Sequence, residues 1–284
     1  MSDGHDAFVL SWHRWRRQRE ATLAHRHGFL AITSINWLGT APQRFDDAPG
    51  EWWADAEGAH VALVDGEELI IDGRPASGEH HIGVIAEDND VMLPWGEAII
   101  EVARRGGDYI VRPRHPDAPI LASYPGTPAY APTHRWVVHA RFEPFAEPRT
   151  VAGASVVDGL TLQHHSPGVA RFEVDGSPHS LLLFADPPET ATETATETGG
   201  EPSGDMWAFI TDGTSGITTS SSCRMIMVSA PAADGSVVID FNRARNLPCA
   251  YTPLATCPLP PPENRLRIPI EAGEMVPQAR NRAT

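Results

Sequence analysis

The first residues of the chain carry the hydrophobic pattern of one amphipathic helix. A stripe of large side chains recurs at intervals of three or four residues, which is the period of a helix that buries one face. Its members are Phe8, Trp12, Trp15, Arg19 and Leu23. Asp6 suits an N-cap, and Gly28 suits the position after the last turn. We expect this helix to pack its stripe against the rest of the protein rather than to present it to a partner.

After Gly28 the pattern changes to the two-residue alternation of β-strands. Gly106-Gly107 between two alternating runs is the strongest hairpin signal, and Asp65-Gly66 and Asp175-Gly176 give similar ones. The predicted strands cover about 60–64, 68–71, 97–105, 108–114, 135–142, 170–174, 179–184, 206–210, 224–229, 236–241 and 265–270. Because no helices alternate with these runs, we expect a mainly β fold. The N-terminal helix would pack on antiparallel, sandwich-like or barrel-like units.

Changes in composition suggest the domain organisation. We expect an N-terminal helix over 1–27, a first β unit over 28–145, a second β unit over 146–275 and a tail over 276–284. One integrated domain is the alternative. Residues 187–205 are acidic, repetitive and poor in large apolar side chains, so within the second unit this stretch predicts a disordered loop.

Charge and composition narrow the functional classes. All 22 basic residues are arginine, which excludes a Schiff-base lysine, a phosphate-binding P-loop and a kinase lysine. The formal net charge of −15 makes nucleic acid and membrane surfaces poor partners, since both are anionic. No run approaches the ~18 apolar residues of a membrane span. We therefore expect an acidic, soluble, cytoplasmic protein, and the sequence leaves its oligomeric state open.

Histidines and cysteines do not form a metal motif. The adjacent pairs at 80–81 and 164–165 point to opposite faces if they lie in strands, so neither pair chelates easily. No HExxH or CxxC spacing occurs, and we predict no metal and no cofactor. Cys249 and Cys257 lie eight residues apart. Structural burial of both thiols is favoured, and a redox pair is the alternative.

The segment from Asp240 to Arg265 combines many prolines with aromatic, aliphatic and polar side chains. Prolines exclude both helix and central strand here. Ordered irregular segments need side chains to satisfy their backbone groups, and binding sites are often built on them. The alternative is a structural plug over a sheet edge.

This segment, DFNRARNLPCAYTPLATCPLPPPENRL, followed by IEAGE at 270–274, resembles the signature of the family catalogued as domain of unknown function 1684. The resemblance extends to the helix, to VRPRHPDAP at 111–119 and to SPG at 166–168. It implies a mostly β bacterial protein without an established activity, and it supplies no substrate, cofactor or catalytic residue. Thr218 and Ser220 stand where the family usually has glutamate and tyrosine, which puts any function of those positions in doubt.

Two functional hypotheses follow. In the first, polar side chains converge on a small-molecule pocket under residues 240–265 that takes an anionic or polar ligand. The candidates are Asp212, Thr214, Arg224, Asp240, Asn242, Asn246, Glu263, Asn264 and Arg265. An arginine would bind a carboxylate or phosphate, and a buried acid such as Asp240 could serve as a base in a hydrolase. In the second, the chain is a non-catalytic β module that binds a protein or ligand, and the signature is purely structural.

Overall fold

A computed structural model describes residues 2–87, 89–186 and 206–277. Contacts divide the chain into two compact units. Unit 1 contains Met1–Thr22, Pro125–Tyr251 and Cys257–Thr284, and unit 2 contains Leu23–Tyr124 and Thr252–Thr256. The stretch predicted to be a disordered loop, 187–205, and most of the predicted tail lie outside the described residues. No described helix is long and apolar enough to cross a membrane.

The predicted N-terminal helix is present as α1, Ser2–Leu23. Its stripe is the buried face, with Trp12 and Leu23 almost fully enclosed. The N-cap prediction at Asp6 is wrong, because the helix begins four residues earlier at Ser2. Nothing between these positions breaks a helix, and a carboxylate near a helix start is favourable inside the first turns as well as at the cap. A second helix, α2, covers only Pro119–Ala122.

The described strands account for most of the remaining regular structure, which confirms the predicted mainly β class. In unit 2 they are β1 (Asn36–Trp37), β2 (Gln43–Arg44), β3 (Glu51–Asp55), β4 (Gly58–Leu63), β5 (Leu69–Ile71), β6 (Arg74–Ala76), β7 (Gly78–Gly83), β8 (Asp90–Trp95), β9 (Ala98–Arg105) and β10 (Asp108–Arg114). In unit 1 they are β11 (Val137–Ala154), β12 (Thr161–Val174), β13 (Ser177–Leu183), β14 (Met206–Ile210), β15 (Arg224–Val228), β16 (Ser236–Asp240) and β17 (Arg245–Asn246).

Unit 2 contains three antiparallel sheets. Their strand orders are β1-β10-β9-β8, β2-β3-β4-β7 and β5-β6. Alternate side chains from these strands fill one core, in which Trp52, Val61 and Ile100 are fully buried. The hairpin predicted at Gly106-Gly107 joins β9 to β10. The alternation of apolar and polar positions thus locates β4, β5, β9 and β10 among the strands that enclose this core.

The hairpin predicted at Asp65-Gly66 is wrong. β4 pairs with β3 and β7, whereas β5 pairs with β6 in another sheet. Asp72 and Gly73 both have positive φ, 50° and 73°, and connect β5 to β6 as a two-residue turn. Such a turn matches the twist of its flanking strands, so it forms the local hairpin in place of the longer connection.

Unit 1 contains one seven-stranded antiparallel sheet, ordered β13-β12-β11-β16-β15-β14, with β17 also paired to β15. The two end strands approach each other at a bridge in which Phe184 and Trp207 exchange backbone hydrogen bonds of 2.7 and 2.9 Å. The strands described do not form a closed barrel. One face buries the larger apolar cluster, and the opposite face buries a smaller cluster around Phe184 and Phe209.

The structure differs from the sequence prediction at two further places in this unit. The predicted strand at 265–270 is wrong: only one isolated bridge, from Arg265 to Thr211, is formed there. Pro269 offers no backbone donor, which limits further pairing. Residues 144–148, where the sequence suggested a boundary, lie inside β11 at a register shift between Pro144 and Arg149.

Candidate functional site

Three of the predicted site residues form a closed ionic cluster. Arg224 begins β15 and its guanidinium donates 2.7 Å to Asp212, with both side chains fully buried. The other Asp212 oxygen accepts from the backbone and hydroxyl of Thr214, at 2.8 and 2.6 Å, and from the Ile270 amide at 3.1 Å. Arg224 also donates to the carbonyls of Ala272 and Ile270. This pair therefore fastens the chain after residue 269 to the sheet.

A second buried cluster was missed by the sequence reasoning. The Glu274 side chain is fully enclosed, and its carboxylate accepts from Arg16 at 2.8 Å and from Arg19 at 3.1 Å, both on α1. It also accepts from the Asn246 amide at 2.7 Å and from the Tyr251 hydroxyl at 3.3 Å. We call these five residues the Glu274 cluster. A buried carboxylate is stable only with such partners, so its role is structural.

The surroundings of Tyr251 exclude an easily ionised phenol. Its hydroxyl lies 2.9 Å from that of Thr127 as well as beside Glu274. Burial, and then the negative charge of Glu274, raise the pKa of Tyr251 well above its ordinary value. A tyrosine that stays protonated acts as a hydrogen-bond donor to the carboxylate. It extends the Glu274 cluster and is not suited to act as a base.

Asp240 and Asn242 support a backbone connection. The Asp240 carboxylate accepts from the backbone and side-chain nitrogens of Asn242, at 3.1 and 2.8 Å. The Asn242 amide in turn pairs with both the backbone N–H and the carbonyl of Thr133, at 2.9 and 3.0 Å. Trp12 on α1 donates 2.9 Å to the carbonyl of Asn242. These side chains hold α1 and the residues before β11 against the end of β16.

Asn246 and Asn264 each bind the backbone of one other residue. Asn246 donates 2.8 Å to the Met275 carbonyl. The Asn264 amide bonds both the N–H and the carbonyl of Leu182, at 2.7 and 2.9 Å. Because β13 is an end strand of the sheet, Asn264 replaces the missing neighbour at that edge. Asn264 thus covers part of this sheet edge.

The three cysteines lie near one another as buried thiols, and none of them forms a disulfide. The Cys249 amide donates 3.3 Å to the sulfur of Cys257, and the Cys223 thiol donates 3.2 Å to the Pro258 carbonyl. Hydrogen bonding to Cys249, followed by burial, raises the pKa of Cys257. Burial, followed by the nearby Cys249, raises the pKa of Cys223. Such thiols are poor nucleophiles, because the thiolate is the reactive form.

Unit 2 has its own buried ionic cluster. Glu101 on β9 lies directly opposite Arg112 on β10, and Arg114 reaches the same carboxylate at 2.8 Å. Burial alone would raise the pKa of Glu101, but Arg112 and Arg114 outweigh it and hold the pKa below its ordinary value. Opposite charges facing each other across two strands stabilise the pairing and its register. The cluster is enclosed, and we assign it a structural role.

The remaining two candidates, Glu263 and Arg265, lie on an open groove of about 770 Å³ in unit 1. Arg265 and Arg267 are exposed, and Leu266 between them is buried. Arg171 on β12 lines the same groove and pairs with Glu143 at 2.5 Å. Among the residues described, no acidic side chain lies within ion-pair distance of Arg265 or Arg267. We call this site the arginine groove.

The floor of the arginine groove is apolar and its rim is mixed in charge. Phe172 and Leu266 are almost fully buried beneath it, and Pro178 closes one side. His179 also lines it, and its buried Nε2 atom has no hydrogen-bond partner among the described residues. Glu173 joins Glu263 on the rim. Three arginines and two glutamates line the groove, and the charge of Arg171 is already paired with that of Glu143.

The nine predicted residues therefore do not meet in one cavity of the described structure. Seven have side chains engaged in the interior or at a turn, and two face the arginine groove. The turn that departs from the family pattern is also engaged, since the Thr218 hydroxyl lies 2.6 Å from that of Tyr130. Within the described ranges, no group of three or more His, Cys, Asp or Glu side chains is placed to hold a metal ion.

The region that contains the signature segment matches a known protein family. The sequence model of the family described as "Protein of unknown function (DUF1684)" matches residues 122–275, which is more than half of the chain. The chain belongs to this family. The DUF1684 match contains the seven-stranded sheet and ends one residue after Glu274, whereas α1 with Arg16 and Arg19 precedes it. In this member, a carboxylate inside the matched region is paired by arginines outside it.

Solved structures similar to this DUF1684 member include a solution NMR structure of an uncharacterized protein from Haloarcula marismortui. The two sequences are 23% identical, and the alignment covers 54% of this chain and 78% of that chain with a TM-score of 0.42. No curated protein matches the chain.

Proposed function

We propose that this protein is a non-catalytic β module that binds a small anionic or polar molecule in the arginine groove. In this proposal the signature segment is a structural element that shapes one wall of the groove. The observation that carries it is the pair of exposed guanidiniums on Arg265 and Arg267. They form no ion pair with an acidic side chain among the described residues, and they border a groove with a volume of about 770 Å³. Arginine binds carboxylates and phosphates in a bidentate geometry.

The buried polar groups of the signature favour binding over catalysis. A general base or nucleophile must be within hydrogen-bond reach of a substrate. Asp240 and Asp212 already accept from neighbouring protein donors, and Arg224 is fully enclosed. The hydrolytic hypothesis centred on residues 240–265 would require these groups to exchange partners that hold the fold together. A groove on the surface requires no such rearrangement.

The experiment is a chemical-shift map of the ¹⁵N-labelled protein titrated with small carboxylates and phosphates, beginning with acetate and inorganic phosphate. We expect the shifts to cluster at 171–180 and 263–267. The double variant Arg265→Gln with Arg267→Gln should lose them, whereas Arg74→Gln, an exposed arginine of unit 2, should retain them. Shifts that cluster instead at 212–246, or no saturable shifts with any anion, would refute the proposal.

A further inference from the structure

The outer edge of β13 is covered in steps, and the last step is open. At Phe184 this edge is paired with Trp207 through the two backbone hydrogen bonds of 2.7 and 2.9 Å. Two residues earlier, the side-chain amide of Asn264 takes the place of a neighbouring strand, since it bonds both the N–H and the carbonyl of Leu182. Two residues earlier again, Ser180 lines the arginine groove. The covered part of the edge therefore ends at the groove.

The pairing of β12 with β13 shows which way the backbone of Ser180 points. In an antiparallel pair, the N–H and C=O groups of one residue face the partner strand and those of the next residue face away. Leu182 and Phe184 bond outward and the pairing has no register shift, so the groups of Ser180 also face outward. The next outward position is Pro178, where the missing N–H disturbs no pairing. Within the ranges that the structure describes, neither backbone group of Ser180 has a hydrogen-bond partner.

From this edge we propose that the ligand of the arginine groove is a short acidic peptide in an extended conformation. Its backbone exchanges hydrogen bonds with Ser180 and so adds a strand to β13, a common mode of peptide recognition at an exposed sheet edge. A carboxylate of the peptide binds Arg265 and Arg267, which follow Asn264 in the chain and line the same groove. The inference rests on the proposed binding function and names the class of ligand for that site.

Peptides that differ at one edge of their backbone test this inference, by calorimetric titration of the full chain. The parent peptide is acetyl-Val-Glu-Val-Glu-Val-amide. One derivative carries N-methyl groups on its valine amides and the other on its glutamate amides, so each blocks the donors along one edge of the extended peptide. We expect one derivative to bind like the parent and the other about tenfold more weakly, because only the donors that face β13 are used. Glutamine in place of both glutamates should also weaken binding about tenfold, since the arginines lose their carboxylate.

One substitution in the protein tests the same hydrogen bonds from the other side. Ser180→Pro removes an N–H that does not pair with β12, so it should weaken binding of the parent peptide about fivefold. Ser180→Ala is the matched control, because it changes the side chain and keeps the N–H. Circular dichroism checks that both variants are folded, and the comparison of the two methylated peptides needs no variant.

The outcomes separate this inference from the function on which it rests. If acetate shifts the groove resonances but the two methylated peptides bind equally well, the proposed function stands and the extended peptide is overturned. If neither acetate nor any of the peptides binds at the groove, both are overturned.

Discussion

Acidification should destabilise this protein through one partly buried histidine. His164 lies on β12 opposite Val151, with its ring centroid 5.2 Å from that of Phe184 and 5.3 Å from that of Phe209. Its Nε2 atom is buried and unpartnered within the described residues. Burial lowers the pKa of His164 from 6.5 to about 4. The folded protein therefore holds this ring neutral at a pH where the unfolded chain would protonate it.

The direction and size follow from proton linkage. Because the pKa is lower in the folded state, the unfolded state binds more protons, and stability falls as the pH drops below 6.5. The loss continues to about pH 4 and is then complete. With pKa values of 6.5 and about 4, the free energy of unfolding should be about 2 kcal/mol lower at pH 5 than at pH 7 from His164 alone.

Urea unfolding followed by circular dichroism at pH 7, 6 and 5 measures this contribution. His164→Phe removes the titrating group and keeps an aromatic ring beside Phe184 and Phe209, so its stability should depend less on pH by about 2 kcal/mol. His139→Phe, at an exposed position of β11, is the control and should retain the wild-type pH dependence. Equal losses between pH 7 and pH 5 for wild type and His164→Phe would refute the assignment.

Three further outcomes test the structural roles described above. Glu274→Gln leaves two arginines without their carboxylate and should lower the free energy of unfolding by about 3–5 kcal/mol, measured by urea titration; a loss below about 1 kcal/mol would contradict a buried network. Gly58→Ala should lower the free energy of unfolding by about 3 kcal/mol or more, because φ is 126° and the added Cβ would lie 2.1 Å from the Gly83 carbonyl oxygen. Gly66→Ala is the control. It has open space around it, so it should lower the free energy of unfolding only by the strain of its positive φ. Ellman's reagent should find no rapidly reacting thiol in the native protein and three after unfolding; only one after unfolding would show that two had paired.

The sequence predicted the strands better than their pairing. Runs such as 206–210 and 108–114 coincide with β14 and β10, because alternation of apolar and polar residues is a local signal. Pairing depends on competition between turns, and the Asp72-Gly73 turn that determines one hairpin lies outside the runs that seemed to define it. The strands β7 and β8 were missed, since glycine, histidine or proline interrupts their alternation, and β3 was missed because two adjacent tryptophans interrupt it.

The candidate site shows a sharper limit. A single sequence can nominate Asp212, Asn242 or Asn264 as polar residues in an unusual segment, but it does not reveal whether they point outward to a ligand or inward to the backbone. Here they point inward. Glu274 could have been noticed, because it closes the IEAGE motif, yet its partners on α1 lie more than 250 residues away along the chain. Contacts of that separation leave no trace in local spacing.

That separation has a consequence for the newly synthesised chain. Arg16 and Arg19 are synthesised some 255 residues before the carboxylate that neutralises them. Synthesis at about 5–20 residues per second leaves the helix without its carboxylate for ~10–50 s. During this interval its apolar stripe is available to chaperones and proteases. Completion of the Glu274 cluster therefore marks the moment at which this helix becomes protected.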